Sequence, residues 1–229
     1  MTASGTPPPG DSATLPGGCA AIVLAGGRAE RMGGTTKPLL RIGDHTLLDL
    51  AITAATYLNC APITAVGPTA ATVHPVRWLR ERPPFAGPAA AIIAGLGLGG
   101  ELESSSTDLS NANGSGSAPQ PEWTLVLAAD LPRVAAAVHM LADSIPHLPM
   151  ETDGVCLGDA SSRPQWLIGI YRTRPLREAA GRVTWRGVDA PVREVMAELA
   201  VAVIADPANL STDIDTWDDV HRERAEMTR

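Results

Sequence analysis

The sequence predicts an α/β fold of three layers, with helices on both faces of a mostly parallel, mixed sheet. Short apolar runs of strand length alternate along the chain with segments of helical period, which is the rhythm of βαβ units. With 229 residues, 45% of them apolar, the chain can bury one sizeable core, and length alone demands no second domain.

The elements follow in order. The first 18 residues contain Pro7, Pro8 and Pro9 in a row and little apolar surface, so they read as a flexible tail. The apolar run at 20–24 is the first strand, 47–56 a helix, 63–66 a strand, 88–98 a helix opened by Pro88, 123–128 a strand and 133–144 a helix. Residues 104–121, rich in Ser, Asn and Gly, read as a disordered-looking surface-loop insertion. Three further strands are expected at 154–157, 166–171 and 201–204, with helical segments at 175–180, 192–199 and 217–226. No internal repeat is present, so residues 19–229 read as a single domain.

Composition excludes several classes of function. A formal charge of -7 argues against bulk attraction to nucleic acid or an anionic membrane, which needs clustered Lys and Arg; a polyanionic substrate would require local cations. Cys19, Cys60 and Cys156 are odd in number, far apart and without a C-x-x-C pair, which suggests neither a disulfide framework nor a zinc site. A reducing cytoplasm is the expected compartment. No apolar run reaches the length of a membrane span, and residues 1–18 lack the basic start and apolar core of a signal segment.

The chemistry concentrates in the loop after the first strand, where residues 21–40 read AIVLAGGRAERMGGTTKPLL. Gly26 and Gly27 let the backbone approach a bulky anion, so that successive N–H groups can face phosphate oxygens, and Arg31 and Lys37 add mobile positive charge. The plain alternative is a glycine-rich turn with both cations solvated. The pattern is neither G-x-x-x-x-G-K-[ST], because proline follows Lys37, nor G-x-G-x-x-G, which disfavours a P-loop kinase and a dehydrogenase.

Two acidic places stand out. The strand WTLVLAAD stops at Asp130 before Leu131 and Pro132; a carboxylate at the carboxyl end of a central strand is suited to Mg²⁺ beside a triphosphate, the alternative being a cap for the next helix. Near the end, Asp213 and Asp215 alternate on one side of an extended segment ahead of Thr216, Asp218 and Asp219, which together also read as an ordinary helix start.

The pattern LAGG-x(3)-RMGG-x(2)-KPLL resembles the signature loop of the molybdenum cofactor guanylyltransferases, within the larger nucleotidyltransferase superfamily. The resemblance implies a Rossmann-like three-layer fold of the nucleotide-diphospho-sugar transferase type. It also implies that Leu24, Ala25, Gly26, Gly27, Arg31 and Lys37 hold the phosphates and base of GTP. DIDTWDDV resembles the family's late motif, which makes Asp215 a metal ligand beside Asp130 and Asp213 an auxiliary toward the acceptor. RERPPFAGPAAAIIAGL resembles the segment in which an acid precedes a G-P helix start, placing Glu81 and Gly87 at the nucleotide. A carboxylate suits guanine because it can accept both the N1 and the exocyclic amino hydrogens; a surface glutamate between Arg80 and Arg82 is the alternative. RPQWLIGIYRT resembles a turn and strand facing the acceptor, so Arg163 and Arg172 are expected at its phosphate, or as ordinary surface arginines. One departure is visible: many relatives carry a polar residue such as Asn after the second strand, where this chain has Val66 and Gly67.

Lys37, Arg31 and Asp130 are therefore the expected catalytic groups, Mg²⁺ the expected cofactor, and GTP and a molybdopterin-type acceptor the expected partners, with a molybdoenzyme apoprotein as recipient and no nucleic acid or membrane. A cytidylyltransferase or sugar-phosphate nucleotidyltransferase is the nearest alternative, since one loop pattern serves several donors. A non-catalytic accessory protein that carries nucleotide or cofactor is the alternative of another class.

Overall fold

A computed structural model of the chain describes residues 13–26, 36–98, 101–102 and 120–227. The strands are β1 (Cys19–Leu24), β2 (Arg41–Ile42), β3 (His45–Thr46), β4 (Ile63–Val66), β5 (Arg77–Arg80), β6 (Glu101–Leu102), β7 (Trp123–Ala128), β8 (Gly154–Gly158), β9 (Pro164–Arg172) and β10 (Val201–Ala205). The helices are α1 (Leu47–Tyr57), α2 (Pro88–Gly95), α3 (Val134–Ser144), α4 (Thr173–Arg182), α5 (Val192–Met196) and α6 (Trp217–Met227). One sheet has the order β10-β8-β9-β7-β1-β4-β5-β6, and β2 and β3 form a separate hairpin. Within the large sheet only β9 and β6 run against their neighbours, so it is mostly parallel and mixed, as expected.

Alternation along the strands makes the three layers. Ala21 and Val23 of β1, Leu125 and Leu127 of β7, and Val155 and Leu157 of β8 face one side, where α1 and α3 cover them. Ile22 and Leu24, Val126 and Cys156 face the other, under α2, α4 and α5. Both faces are dry, which is why these strands read as nearly continuous apolar runs. The helices supply matching stripes, Leu48, Ala51, Ile52 and Ala55 on α1 and Val134, Ala137, Val138 and Leu141 on α3.

Helix ends are set locally. α1 opens with a capping box, Thr46 accepting from the Asp49 N–H at 3.0 Å while Asp49 accepts from the Thr46 N–H. α2 stops earlier than the apolar pattern suggests. Gly97, at φ 74, lets its N–H reach the Ala94 carbonyl and the Leu98 N–H reach that of Ile93, which closes the helix.

Two further differences appear. β5 was not anticipated: only Leu79 of its four residues is buried, so the strand lacks an apolar run of its own. Residues 13–18 are not a tail, because Leu15 enters the core and the carbonyls of Gly17 and Gly18 accept from the N–H groups of Glu122 and Trp123; residues 1–12 lie outside the described residues. Of the expected insertion at 104–121, all but Gln120 and Pro121 lie outside them too. No helix among the described residues is long and apolar enough to cross a membrane.

Candidate active site

The carboxyl ends of β1, β4 and β7 meet at one edge. The Ala25 N–H donates to the Val66 carbonyl at 2.8 Å and the Ala129 N–H to that of Leu24 at 3.0 Å, so the chain leaving β1 is pinned from both sides before Gly26. Gly67 makes that approach possible. At φ 149 it lies against the turn, and a Cβ there would come within 2.7 Å of the Ala25 carbonyl carbon and 2.8 Å of the Gly26 nitrogen. At the position of the departure noted above, any residue larger than glycine would therefore press on the backbone of Ala25 and Gly26.

Above this edge lies a cavity of about 440 Å³. Leu24, Gly26, Lys37, Glu81, Gly87 and Asp130 line it, residues separated by more than a hundred positions in sequence. Ala25 is buried just behind the wall. Gly27 and Arg31 lie outside the described residues. Glu81 is not a surface residue: it is 6% exposed, its Oε1 accepts from the Phe85 N–H at 2.9 Å, and its Oε2 is buried without a hydrogen-bond partner among the described residues. An unsatisfied buried carboxylate oxygen at a cavity wall is costly unless a ligand supplies a donor.

The cavity wall also carries a cation and a further carboxylate, Lys37 and Asp130. The Lys37 ammonium forms an ion pair with Asp215, although 178 residues separate them in sequence. The Ile214 N–H donates to the Asp130 carbonyl at 3.1 Å, which ties the late acidic segment to the end of β7. Upstream, the buried Asp206 accepts from the N–H groups of Leu210 and Ser211, both at 2.8 Å, and so shapes the approach to Asp213. Burial pushes Asp130 up to about 6, with Asp213 adding to the rise, Lys37 opposing it and Asp215 contributing less. Asp213 is raised as well, by burial first and then by Asp215.

Neither aspartate is occupied as a helix cap. α3 has Arg133 at its N-cap, without a side-chain hydrogen bond. In front of α6 the reciprocal bonds run between Thr216 and Asp219, while the Asp215 side chain pairs with Lys37. Asp130, Asp213 and Asp215 crowd negative charge around one ammonium. Among the described residues no three potential ligands close into a preformed cage. Asp130 and Asp213 at the cavity walls are oxygen ligands of the kind a hard divalent cation takes.

A second cavity, of about 330 Å³, adjoins the first and shares Ala128, Asp130 and Leu167 with it. Gln165, Trp166, Ser211 and Asp213 line its polar side. Arg163 lies at the same edge, in the exposed turn between β8 and β9, where its N–H donates to Asp159. Arg172 does not belong here. β9 is antiparallel to β7, so Arg172 pairs with Trp123 at the opposite edge of the sheet, where its guanidinium stacks 4.6 Å from the Trp123 ring and bonds Glu122. A strand running against its neighbours brings its first residues to the site and carries its last ones away. Phe85, Leu167 and Asp189 also line the first cavity and were not anticipated. The run GVDAPV around Asp189 carries no phosphate or metal pattern, and only the fold shows where it lies.

The sequence matches the model of the MobA-like NTP transferase domain over residues 21–207. No curated protein matches it. Several solved structures share the fold. Rv0371C of Mycobacterium tuberculosis H37Rv, solved in complex with manganese, is 19% identical with a TM-score of 0.59, 90% of this chain and 97% of that chain being covered. The 2-C-methyl-D-erythritol 4-phosphate cytidylyltransferase of Thermus thermophilus is 15% identical with a TM-score of 0.58, covering 92% and 98%. The molybdopterin-guanine dinucleotide biosynthesis protein A of Archaeoglobus fulgidus is 16% identical with a TM-score of 0.57, covering 91% and 98%. With Gly26, Lys37 and Asp130 around one cavity and a family match over most of its length, the chain belongs to the MobA-like NTP transferase domain family and is a nucleotidyltransferase.

Proposed function

We propose that the chain transfers GMP from GTP to the phosphate of a molybdopterin-type acceptor, releasing pyrophosphate, with Mg²⁺ as its divalent cation. The observation that carries the choice of base is Glu81. Its Oε2 is buried at the wall of the cavity and has no partner among the described residues. Guanine offers two adjacent donors, N1–H and the exocyclic amino group, to a single carboxylate. Cytosine and adenine offer only an amino group there, beside a ring acceptor that a carboxylate repels. The name of the Archaeoglobus fulgidus relative supports the acceptor.

In this reading the phosphates lie over Gly26 toward Lys37. A phosphate oxygen of the acceptor attacks the α-phosphorus, the bond to the β-phosphate oxygen breaks, and pyrophosphate leaves without a covalent enzyme intermediate. The Lys37 ammonium exchanges Asp215 for a phosphate and neutralises charge on the leaving pyrophosphate. Asp130 and Asp215 would hold the cation, as the family's usual use of a divalent metal implies, and Asp213 assists. When bound, it supplies Lewis-acid stabilisation of the phosphate charge. The rest is positioning.

The test is pyrophosphate release from each of the four ribonucleoside triphosphates, with Mg²⁺ and with or without molybdopterin, for the unsubstituted chain and Glu81→Gln. Release confined to GTP, dependent on acceptor and lowered at least tenfold by Glu81→Gln, is the expected outcome, roughly the loss of one charge-assisted hydrogen bond. Release from CTP alone would transfer the assignment to a cytidylyltransferase. Nucleotide binding without release from any donor would favour an accessory protein.

A further inference from the structure

The loop between α4 and α5 reaches the first cavity and brings a carboxylate, Asp189, to its wall. This loop is held in an unusual backbone conformation. Trp185, Arg186 and Asp189 have φ of 53, 54 and 56, a region that non-glycine residues occupy at a cost of about 1 kcal/mol or more each. Packing imposes that conformation. Gly187 lies so close on α2 that a Cβ would meet the Ala90 nitrogen at 3.0 Å and Ile93 at 2.8 Å, and the Asp189 N–H donates to the Ala86 carbonyl at 2.8 Å. The second contact sets Asp189 beside Gly87, where α2 begins and the cavity is also lined. Asp189 is exposed, and its carboxylate makes no hydrogen bond or ion pair with the other described residues.

We infer that Asp189 binds the ribose of the donor nucleotide and makes the enzyme select ribonucleotides over deoxyribonucleotides. This rests on the reading of the first cavity as the donor site. A carboxylate only accepts hydrogen bonds. The triphosphate has no donor to give it and would repel it, and its charge is matched instead by Lys37, which lines the same cavity. The donor edge of the base has its own acceptor in the buried Glu81 Oε2. The 2′ and 3′ hydroxyls are the remaining donors of a nucleoside triphosphate, and they lie between base and phosphates. A carboxylate accepting from a vicinal diol is a sound ribose contact, because both hydroxyls can bond it at once. Only the donor edge of the base is used here, and guanine and cytosine both present one through an exocyclic amino group.

The experiment is calorimetric titration of the full chain, with Mg²⁺, against the ribonucleoside triphosphate that binds best and its 2′,3′-dideoxy analogue. It is repeated for Asp189→Gly, which removes the carboxylate and accepts φ 56 without strain, and for Asp189→Asn, which also tolerates that backbone and keeps one acceptor oxygen. The unsubstituted chain is expected to prefer the ribonucleotide by about tenfold or more, the scale of a charge-assisted hydrogen bond. Asp189→Gly is expected to weaken the ribonucleotide alone, so that the two bind within about twofold of each other, and Asp189→Asn to fall between. An unchanged ratio in Asp189→Gly, or equal weakening of both ligands, would overturn the assignment of Asp189 while leaving the donor site intact. Failure of every ribonucleotide to bind the unsubstituted chain would instead overturn the donor site, and this inference with it.

Discussion

Asp130 sits where the requirements of folding and of chemistry conflict. Its carboxyl is pushed up to about 6, from burial first and then from Asp213. Folding therefore favours the protonated form, and the stability this group contributes is full below its unfolded value near 3.8 and lost as pH rises through about 6. In chelator-treated protein, urea unfolding should show stability falling across that window by about 1–3 kcal/mol, and Asp130→Asn should flatten the fall. An Asp130→Asn protein with the same pH profile as the unsubstituted chain would remove the conflict. Cation binding runs the other way, since a ligand must be deprotonated: affinity should weaken as pH drops below about 6, when protons compete for the same oxygens. Glu81 is a second case of local cost, a buried carboxylate with one oxygen that has no hydrogen-bond partner among the described residues.

At the scale of elements, the turn after β4 and the turn after β1 are one unit. Gly67 lies against Ala25 and Gly26 so closely that any side chain meets backbone, which cannot swing away as a side-chain tip can. Gly67→Ala should cost about 2 kcal/mol or more in thermal or urea unfolding and weaken nucleotide binding through displacement of Gly26. Stability within a few tenths of the unsubstituted chain would show that the turn yields. Much of this architecture was legible in the sequence. β4 and β7 have the bounds their apolar runs suggest, because both are buried strands ended by a glycine or an acidic turn. Gly26, Lys37 and Asp130 stood out through residue types that phosphate and metal chemistry need and Leu24 through the family resemblance, and all four line the cavity. Arg172 was misplaced because its sequence environment says nothing about strand direction, and β9 is antiparallel. Asp189 was not visible because it lies in no pattern, and Phe85 because nothing in the segment from Glu81 to Gly87 singles out its apolar ring; packing of Gly187 on α2 and the bond from the Phe85 N–H to Glu81 bring them to the cavity.

At the scale of the whole molecule, distant parts of the chain are joined beneath the site by a small core of their own. Leu40, Ile42 and Leu47, which follow Lys37, pack against Ile214 and Val220, which flank Asp215. Arg224 adds bonds from α6 to the Arg41 carbonyl, and Arg133 holds α6 through Glu223. The Lys37–Asp215 pair thus rests on apolar packing that no charged residue supplies. Val220→Ala should cost about 1–3 kcal/mol of stability. It should also lower pyrophosphate turnover more than Val138→Ala, an equally buried deletion in α3; equal losses would mean that the small core adds only stability. The wall between the two cavities has a consequence of a different kind. Ala128, Leu167 and Asp130 belong to both chambers, so no occupant of one can shift them without reshaping the other. Two ligands that share a wall are thermodynamically linked: the factor by which the first alters the dissociation constant of the second must equal the factor by which the second alters that of the first, whichever arrives earlier.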